Sequence, residues 1–306
     1  MRALLVVNPK ATATSVRARD VLAHALASET KLDVVETGAR GHAAELAHQA
    51  AVDGLDVVVA LGGDGTVNEV VNGLLRNGPR AGLPALAVVP AGSTNVFARA
   101  LGMPNAPVEA TSVLLDALRV DRRRTIGLGR ADDRWFTFCA GLGIDAGAVR
   151  RMERHRANGR PATHGRYVRA ALRELYTGPS HREPVLTVAV DGAPAEFVAL
   201  ALVGNTAPWT YLRERPVDAF PGASFELGLD VFGLRRLGTG STLRHLAQML
   251  SARTTVHGRN VLALHDLPGL TITADRSLPF QVDGDDLGDR RQVAFQAVPA
   301  ALDVVV

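Results

Sequence analysis

The sequence is poor in cysteine and has no long apolar run. Cys139 is the only cysteine among the 306 residues, which excludes a disulfide framework and any metal site made of several cysteines. No run of about 18 apolar residues occurs, so no membrane-spanning helix is predicted. The apolar run that follows Arg2 ends at Asn8-Pro9. It is too short for a signal peptide, so it predicts a first strand and a cytoplasmic protein.

Lysine is nearly absent as well. Lys10 and Lys31 are the only lysines among 34 basic residues, and neither lies in a G-x-x-x-x-G-K-[ST] segment, so the chain is not a P-loop protein. The V-A-I-K and H-R-D motifs of protein kinases are missing, as are H-E-x-x-H and G-x-S-x-G. Aromatic residues make up only 5% of the chain and 31 acidic residues nearly balance the basic ones, which argues against a nucleic-acid partner.

The first third of the chain alternates between two apolar patterns. Short apolar runs predict strands, and apolar residues at helical spacing predict helices between them. The predicted strands cover 3–7, 32–36, 56–61 and 85–89, and the predicted helices cover 16–26, 41–51 and 66–75. Such alternation is typical of a parallel sheet with both faces covered, in which ligands bind at the carboxyl ends of the strands.

From about Val120 the pattern changes to short strands separated by turn residues. Strands are predicted at 134–139, 184–191, 195–203, 227–233, 260–264, 270–274, 279–283 and 292–297, with helices near 145–157, 163–176 and 240–250. We therefore predict an α/β fold with two domains. An N-terminal α/β nucleotide-binding domain with a parallel sheet covers 1–125, and a mainly antiparallel, β-sandwich-like domain covers 126–291. The last strands, about 292–306, can return to the first domain.

The strongest local motif is Gly62-Gly63-Asp64-Gly65-Thr66, which follows an apolar strand and precedes a helix. Glycines let the backbone approach phosphate closely, and the helix N-terminus offers unpaired N–H groups. We interpret Thr66 as a helix cap whose hydroxyl also donates a hydrogen bond to phosphate. Asp64 would place a carboxylate beside the phosphates, to hold Mg²⁺ or to orient a hydroxyl. The alternative is a tight turn in which Asp64 only caps the helix.

This motif, continued by Asn68-Glu69, resembles that of the diacylglycerol kinase catalytic family, which includes bacterial lipid kinases and sphingosine kinases. Further segments resemble the family's motifs in the same order along the chain. They are Asn8-Pro9, Thr37 with Gly41-His42-Ala43, Pro90-Ala91-Gly92-Ser93-Thr94-Asn95, Gly141-Leu142-Gly143-Ile144-Asp145-Ala146 and Asp283-Gly284-Asp285. The ordered set is more specific than any one of its members.

The resemblance implies an ATP site and a lipid site in the cleft between the two domains. Its nucleotide-binding residues would be Asn8, Thr37, Gly62, Gly63, Asp64, Gly65, Thr66, Asn68, Glu69 and Ser93, with Mg²⁺ reaching Asp64 through ATP. Asn95 and Asp145 would contact the lipid substrate, although Asp145 serves equally well as a helix cap. Asp285 falls on the family's proposed general base, and the adjacent Asp283 and Asp286 compete for that role.

Three departures from the family's pattern stand out. Val96 occupies the position of a carboxylate, and Asp285 replaces a glutamate. In Glu226-Leu227-Gly228 an aliphatic side chain replaces a ligand of the structural metal found in some relatives, so we expect no structural metal site.

Two further stretches have two interpretations each. The arginines between 150 and 173 form either a solvated helix face or an attractive surface for phosphates and anionic lipid headgroups. Trp209 and Tyr211, beside Arg213, are typical of a membrane interface but equally of a buried loop. Cys139 is interpreted as an inert core thiol.

The prediction is an ATP- and Mg²⁺-dependent kinase that phosphorylates a hydroxyl of diacylglycerol or a related membrane lipid. It would be cytoplasmic and touch the inner membrane face transiently; a homodimer is compatible with the sequence. One alternative is an NAD kinase, since those enzymes share Gly62-Gly63-Asp64-Gly65-Thr66. The other is a nucleotide- or lipid-binding protein that has lost catalysis.

Overall fold

The computed structural model describes residues 1–11, 16–157, 185–251 and 256–306, and it divides into two compact units. Unit 1 comprises Met1–Leu128 and Pro299–Val306, and unit 2 comprises Gly129–Val298. The observed divisions at 128 and 299 compare with predicted ones at 125 and about 292. The helix predicted near 163–176 lies outside the described residues.

Unit 1 alternates strands and helices, as predicted. Its strands are β1 (Arg2–Val7), β2 (Lys31–Glu36), β3 (Val57–Gly62) and β4 (Ala85–Pro90), and its helices are α1 (Val16–Ala27), α2 (His42–Val52), α3 (Asp64–Leu74), α4 (Val96–Ala100) and α5 (Pro107–Arg119). The strands pair in parallel in the order β4-β3-β1-β2. Every residue of β3 and β4 is buried, which explains why their sequences are continuously apolar. The sequence pattern had not predicted α4 and α5.

The register of these strands aligns their carboxyl ends. Val7 lies opposite Leu61, and Gly62 lies opposite Pro90. The chain therefore leaves β1, β3 and β4 at one edge of the sheet, which brings three separate turns together.

Unit 2 is mainly antiparallel. Its elements are β5 (Arg123–Ala131, which starts in unit 1), β6 (Arg134–Phe136), β7 (Cys139–Leu142), α6 (Ile144–Ala157), β8 (Leu186–Ala189), β9 (Glu196–Val198), β10 (Leu200–Gly204), β11 (Thr210–Leu212), β12 (Arg215–Val217), β13 (Leu229–Leu234), α7 (Thr239–Met249), β14 (Val261–Leu267), β15 (Gly269–Val282) and β16 (Asp285–Val305). The antiparallel order is β14-β13-β10-β7-β15-β16. The predicted combination of a parallel α/β part and a large antiparallel part is confirmed.

Several element predictions differ from the structure in detail. The strands predicted at 270–274 and 279–283 are one continuous strand, β15, whose pairing with β16 shifts register between Thr273 and Leu278. The stretch around Trp209, interpreted as a loop, continues into the β11–β12 hairpin. β5 was not predicted at all.

The last strand belongs to both units. The first part of β16 pairs antiparallel with β15, and Val304, near its end, pairs in parallel with Leu86 of β4. Apolar residues of unit 2 converge on a separate core that includes Phe136, Phe280 and Phe295. No helix in the described ranges is long and apolar enough to cross a membrane.

Candidate active site

The turn between β3 and α3 is the first of two candidate clusters. Gly63 is the N-cap of α3 and has an extended backbone, and the helix begins at Asp64. The predicted start of this helix at Thr66 and the cap role of Thr66 were therefore wrong, because Thr66 lies inside the first turn. The first N–H groups of a helix have no partner within the helix, so this end of α3 can receive phosphate oxygens.

Close backbone contacts explain the glycines of this turn. A Cβ atom on Gly62 would lie 2.6 Å from Thr66 Oγ1, and one on Gly92 would lie 2.6 Å from the Cα of Gly63. The Ala91 N–H also donates to the Gly62 carbonyl at 2.8 Å. The turns that follow β3 and β4 therefore touch through their backbones, and a side chain at Gly63 or Gly92 would fill the space between them.

The loop after β1 is tied to the same helix. Asn8 Nδ2 donates to Thr66 Oγ1 at 3.0 Å, and the Asn8 Oδ1 accepts the Lys10 N–H at 3.0 Å. Asn8 thus orients the hydroxyl of Thr66. The Thr37 N–H, after β2, donates to the Val7 carbonyl at 2.8 Å and places that loop at the same sheet edge.

Asp64 and Asn95 organise the turn that follows β4. Asp64 Oδ1 accepts the Phe97 N–H at 3.1 Å, which links the start of α3 to α4. Asn95, with a left-handed φ of 51°, accepts the Gly92 N–H at 2.9 Å and donates to the Gly92 carbonyl at 3.1 Å and to Asn105 Oδ1 at 2.8 Å. Asn95 is buried inside its own turn, and its contact with substrate stays a prediction.

Asn68 and Glu69 make helix contacts that the motif had not predicted. Glu69 accepts the Gly41 N–H at 2.9 Å and the Ala43 N–H at 3.2 Å, so its carboxylate lies on the positive N-terminus of α2. Asn68 is fully buried and its Oδ1 accepts from Asn72 at 3.1 Å. Nucleotide contact by these two residues stays a prediction, as does contact by the exposed Ser93.

The hairpin between β15 and β16 is the second cluster, and it lies within unit 2. Asp283 and Gly284 have left-handed φ values of 48° and 81°, between the paired residues Val282 and Asp285. Two successive residues of this kind form a two-residue hairpin turn, for which Asp-Gly is a favoured sequence. The turn presents Asp285, the predicted base, as its first strand residue.

Asp283 anchors this turn. Its buried carboxylate accepts the N–H groups of Thr137, Phe138 and Cys139 and the Thr137 hydroxyl, at 2.7 to 3.1 Å. Burial raises the pKa of Asp283, and the four hydrogen bonds offset that rise only in part. With its acceptor sites directed at the backbone of 137–139, Asp283 is a poor competitor of Asp285 for the role of base.

Asp286 is held by an ion pair. Arg150 of α6 donates to both carboxylate oxygens of Asp286, at 2.7 and 2.9 Å, and also contacts Asp289 at 2.7 Å. Burial alone would raise the pKa of Asp286, but the hydrogen bonds of Arg150 and Gly288 and the positive charge of Arg150 outweigh it, so the pKa lies below its usual value. In the sequence, Asp285 thus lies between Asp283 and Asp286, whose carboxylates bond the backbone and Arg150, respectively. Asp285 itself is half-buried.

Asp145 lies inside α6, which begins at Ile144, so the helix-cap interpretation was wrong. Its buried carboxylate accepts from Gln281 Nε2 at 2.8 Å. Gln281, on β15, is a residue that the sequence motifs had not indicated. A substrate contact of Asp145 stays a prediction.

Cys139 and Trp209 lie against this cluster. Burial raises the pKa of the Cys139 thiol well above its usual range, the charges of Asp145 and Asp283 raise it further, and hydrogen bonds from Gln281 and Trp209 lower it only in part. These contacts support the interpretation of Cys139 as an inert thiol, whereas Trp209 is half-buried and its two interpretations stay predictions. Of the predicted arginine stretch, the structure describes only the part on α6, and 158–184 lies outside it.

A structural metal has few ligands here. Within the described residues, no three or more His, Cys, Asp or Glu side chains group as metal ligands would. Asp230, near the altered family segment, instead accepts from His265 Nδ1 at 2.8 Å and from the Asp266 N–H at 3.1 Å. The side chain of Leu227 is exposed.

Comparison with known proteins agrees with the resemblance seen in the motifs. A model of the diacylglycerol kinase catalytic domain matches residues 2–129, so this segment is similar to that domain. The chain is 40% identical over 108 residues to a diacylglycerol kinase of Bacillus subtilis (strain 168), a match that spans 33% of that protein. It is 29% identical over 309 residues to the "Probable lipid kinase YegS-like" of Stenotrophomonas maltophilia (strain K279a), which covers 96% of this chain and 93% of that one.

Solved structures share the fold. A diacylglycerol kinase from Bacillus anthracis str. Sterne aligns with a TM-score of 0.73 and 20% identity, over 99% of this chain and 96% of that one. An NAD kinase from Archaeoglobus fulgidus in complex with ATP aligns with a TM-score of 0.52 and 12% identity, over 100% and 94%. At these identities the likeness concerns the fold alone.

Proposed function

We propose that this protein is a lipid kinase that transfers the γ-phosphate of ATP to a hydroxyl of diacylglycerol or a related acylated alcohol. The observation that carries the proposal is the turn between β3 and α3, where Asp64 stands at a helix N-terminus beside the Gly63–Gly92 backbone contact. The match of residues 2–129 to the diacylglycerol kinase catalytic domain supports the kinase class, and the similarity to a diacylglycerol kinase and to a probable lipid kinase supports a lipid acceptor.

The first cluster suits a nucleoside triphosphate. The N–H groups of the first turn of α3 would bind phosphate oxygens, and the Thr66 hydroxyl, oriented by Asn8, would donate another hydrogen bond. Mg²⁺, bound together with ATP near Asp64, would neutralise charge on the phosphates.

The second cluster suits proton removal. Asp285 would accept the proton of the lipid hydroxyl as the oxygen attacks the γ-phosphorus and the bond to the β-phosphate oxygen breaks. Asp145 would orient that hydroxyl. A carboxylate one methylene shorter than glutamate keeps the acceptor oxygens that this step needs.

The lipid substrate implies a meeting with a membrane surface, and the cytoplasmic face is where ATP is available. We propose a transient association, to which the basic residues of α6, such as Arg151 and Arg154, would contribute by attracting anionic headgroups. A homodimer remains a proposal from the sequence.

The test is transfer of radiolabelled phosphate from ATP, with Mg²⁺, to diacylglycerol, monoacylglycerol, sphingosine, ceramide, phosphatidylglycerol and NAD. Asp64→Asn is expected to lower transfer by at least on the order of 100-fold while the fold is kept. Asp33→Asn, a matched change at an exposed position of β2, should leave transfer unchanged.

Each result decides between the candidate functions. Label on one lipid that is lost in Asp64→Asn would establish the kinase and its substrate class. Label on NAD alone would favour the NAD kinase alternative, whose fold is shared. ATP binding without transfer to any acceptor would favour a binding protein that has lost catalysis. The buried Val96 would then be the first residue to replace by the carboxylate of the family's pattern.

A further inference from the structure

Gln281 connects the carboxylate of Asp145 with the turn that precedes Asp285, and the family motifs single out both of these aspartates. We infer that Gln281 is a positioning residue, which holds the turn before Asp285 at a fixed position relative to Asp145. The inference rests on the proposed kinase function, because it assumes that Asp285 removes a proton and that Asp145 orients the hydroxyl. No family motif or departure drew attention to this glutamine.

The geometry of the side-chain amide is unambiguous. Gln281 Nε2 donates to Asp145 Oδ2 at 2.8 Å, and its Oε1 accepts the Gly284 N–H at 2.9 Å. A carboxylate can only accept and a backbone N–H can only donate, so the two partners define which end of the amide is which. The side chain is 1% exposed, so both hydrogen bonds are shielded from bulk solvent.

The position of Gln281 in the sheet explains its reach. It pairs with Gly141 of β7, where a Cβ atom would lie 3.0 Å from Asp145 Oδ2 and 3.3 Å from Gln281 Nε2. The absence of a side chain at Gly141 therefore leaves room for the hydrogen bond. The Cys139 sulfur lies 3.7 Å from Gln281 Nε2 and accepts a second hydrogen bond from it.

Two other side chains fix the turn through different partners. Asp283 ties the turn to the backbone of 137–139, and Asp286 ties the following strand to Arg150. Gln281 is the described side chain that hydrogen-bonds both the Gly284 N–H and the Asp145 carboxylate. Without the Gln281 side chain, the hairpin that bears Asp285 would still fold, but this connection would no longer hold it at a fixed distance from Asp145.

The chemistry of this position requires an amide. Methionine has similar length but forms neither hydrogen bond, and it would leave a buried carboxylate and a buried N–H without this partner. Glutamate would keep the acceptor for Gly284 but would face Asp145 with a second carboxylate, so the pair would have to share a proton.

The first experiment compares Gln281→Met with Gln292→Met, a matched change at an exposed position of β16. We expect Gln281→Met to lower kcat by on the order of 10- to 100-fold, since displacements of about 1 Å can cost this much. The affinity for ATP should stay unchanged, because the nucleotide cluster lies in unit 1. Gln292→Met should leave kcat and the affinity unchanged.

The second experiment uses the pH profile of Gln281→Glu. At low pH the shared proton preserves the contact with Asp145, and at high pH two carboxylates repel each other. The ratio of its kcat to that of the wild type should therefore fall as the pH rises. A residue that only stabilises the fold would change the melting temperature without producing this profile at temperatures where both proteins are folded.

Hydrogen exchange separates positioning from global loss of structure. The amide of Gly284 should exchange faster in Gln281→Met, while amides of unit 1 keep their protection. An active wild type whose kcat is unaffected by Gln281→Met would overturn this inference and leave the proposed function intact. A wild type inactive on every lipid would overturn both.

Discussion

Three neighbouring aspartates of one hairpin differ because of what each one touches. Asp283 is buried against backbone N–H groups, Asp286 is paired with Arg150, and Asp285, between them in the sequence, is half-buried. Burial raises the pKa of Asp283, whereas Arg150 holds that of Asp286 below its usual value. Environment rather than residue type therefore assigns the roles.

His265 and Asp230 give a prediction at this scale. The hydrogen bond and the charge of Asp230 raise the pKa of His265 above its usual 6.5. A group with a raised pKa in the folded state contributes stability that is present below 6.5 and is lost as the pH rises through the raised value. The free energy of unfolding that His265→Gln removes should thus be larger below 6.5 and decline above it.

Urea denaturation at a series of pH values measures this difference. His24→Gln, at an exposed position of α1, is the matched control and should show no such trend. A loss of stability in His265→Gln that is the same at every pH would show that the charged pair contributes nothing.

At the scale of elements, the site depends on turns that follow aligned parallel strands. Gly63 after β3 and Gly92 after β4 touch because both strands end level with each other. Glu69 of α3 in turn covers the N-terminus of α2. The turn after β3 is thus supported by the turn after β4, and the N-terminus of α2, which follows β2, is supported by α3, which follows β3.

We predict that Gly92→Ala destabilises the protein by about 1–3 kcal/mol and weakens ATP binding. The new Cβ would lie 2.6 Å from the Cα of Gly63, a backbone atom that cannot rotate away, and 2.9 Å from Asn95 Oδ1. Thermal unfolding and nucleotide titration measure the two effects. Gly240→Ala is the control, because its Cβ would meet no other part of the chain within 4 Å; ATP affinity should stay at the wild-type level there and stability should not fall, since alanine favours a helix more than glycine does. Unchanged ATP affinity in Gly92→Ala would argue against phosphate binding at this turn.

At the scale of the whole molecule, unit 1 is completed by the end of the chain. Residues 299–306 belong to unit 1, and Ala301, Leu302, Val304 and Val305 are buried there. Unit 1 can therefore reach its final structure only after the segment that forms unit 2 has been synthesised.

Val304→Asp tests this dependence. A carboxylate in place of a fully buried valine has no partner in the apolar sheet, so we expect a loss of at least about 3 kcal/mol and reduced ATP binding. Val34→Asp, which changes a 51% exposed side chain of β2, should cost little. Equal melting temperatures for the two variants would show that unit 1 does not need its last strand.

Much of the element order followed from local patterns. Short apolar runs predicted the four parallel strands, and Gly62-Gly63-Asp64-Gly65-Thr66 predicted a phosphate-binding turn and carried the resemblance to the diacylglycerol kinase catalytic family. The sequence predicted two strands where the structure has the single strand β15. The reason is that Asp275-Arg276-Ser277 interrupts the apolar alternation, while the extended backbone continues. It also placed the start of α3 two residues late, since a glycine can cap a helix through its backbone alone.

The sequence by itself determined the alternation of elements, the turn chemistry and the resemblance to a kinase family, because periodicity and turn residues act over a few neighbouring positions. Only the tertiary structure decided that Asp283 is held by the backbone of 137–139 and Asp286 by Arg150. It also revealed Gln281 as the link to Asp145, 136 positions away, and Arg150 as the partner of Asp286. Such contacts depend on the path of the whole chain, and no local pattern encodes them.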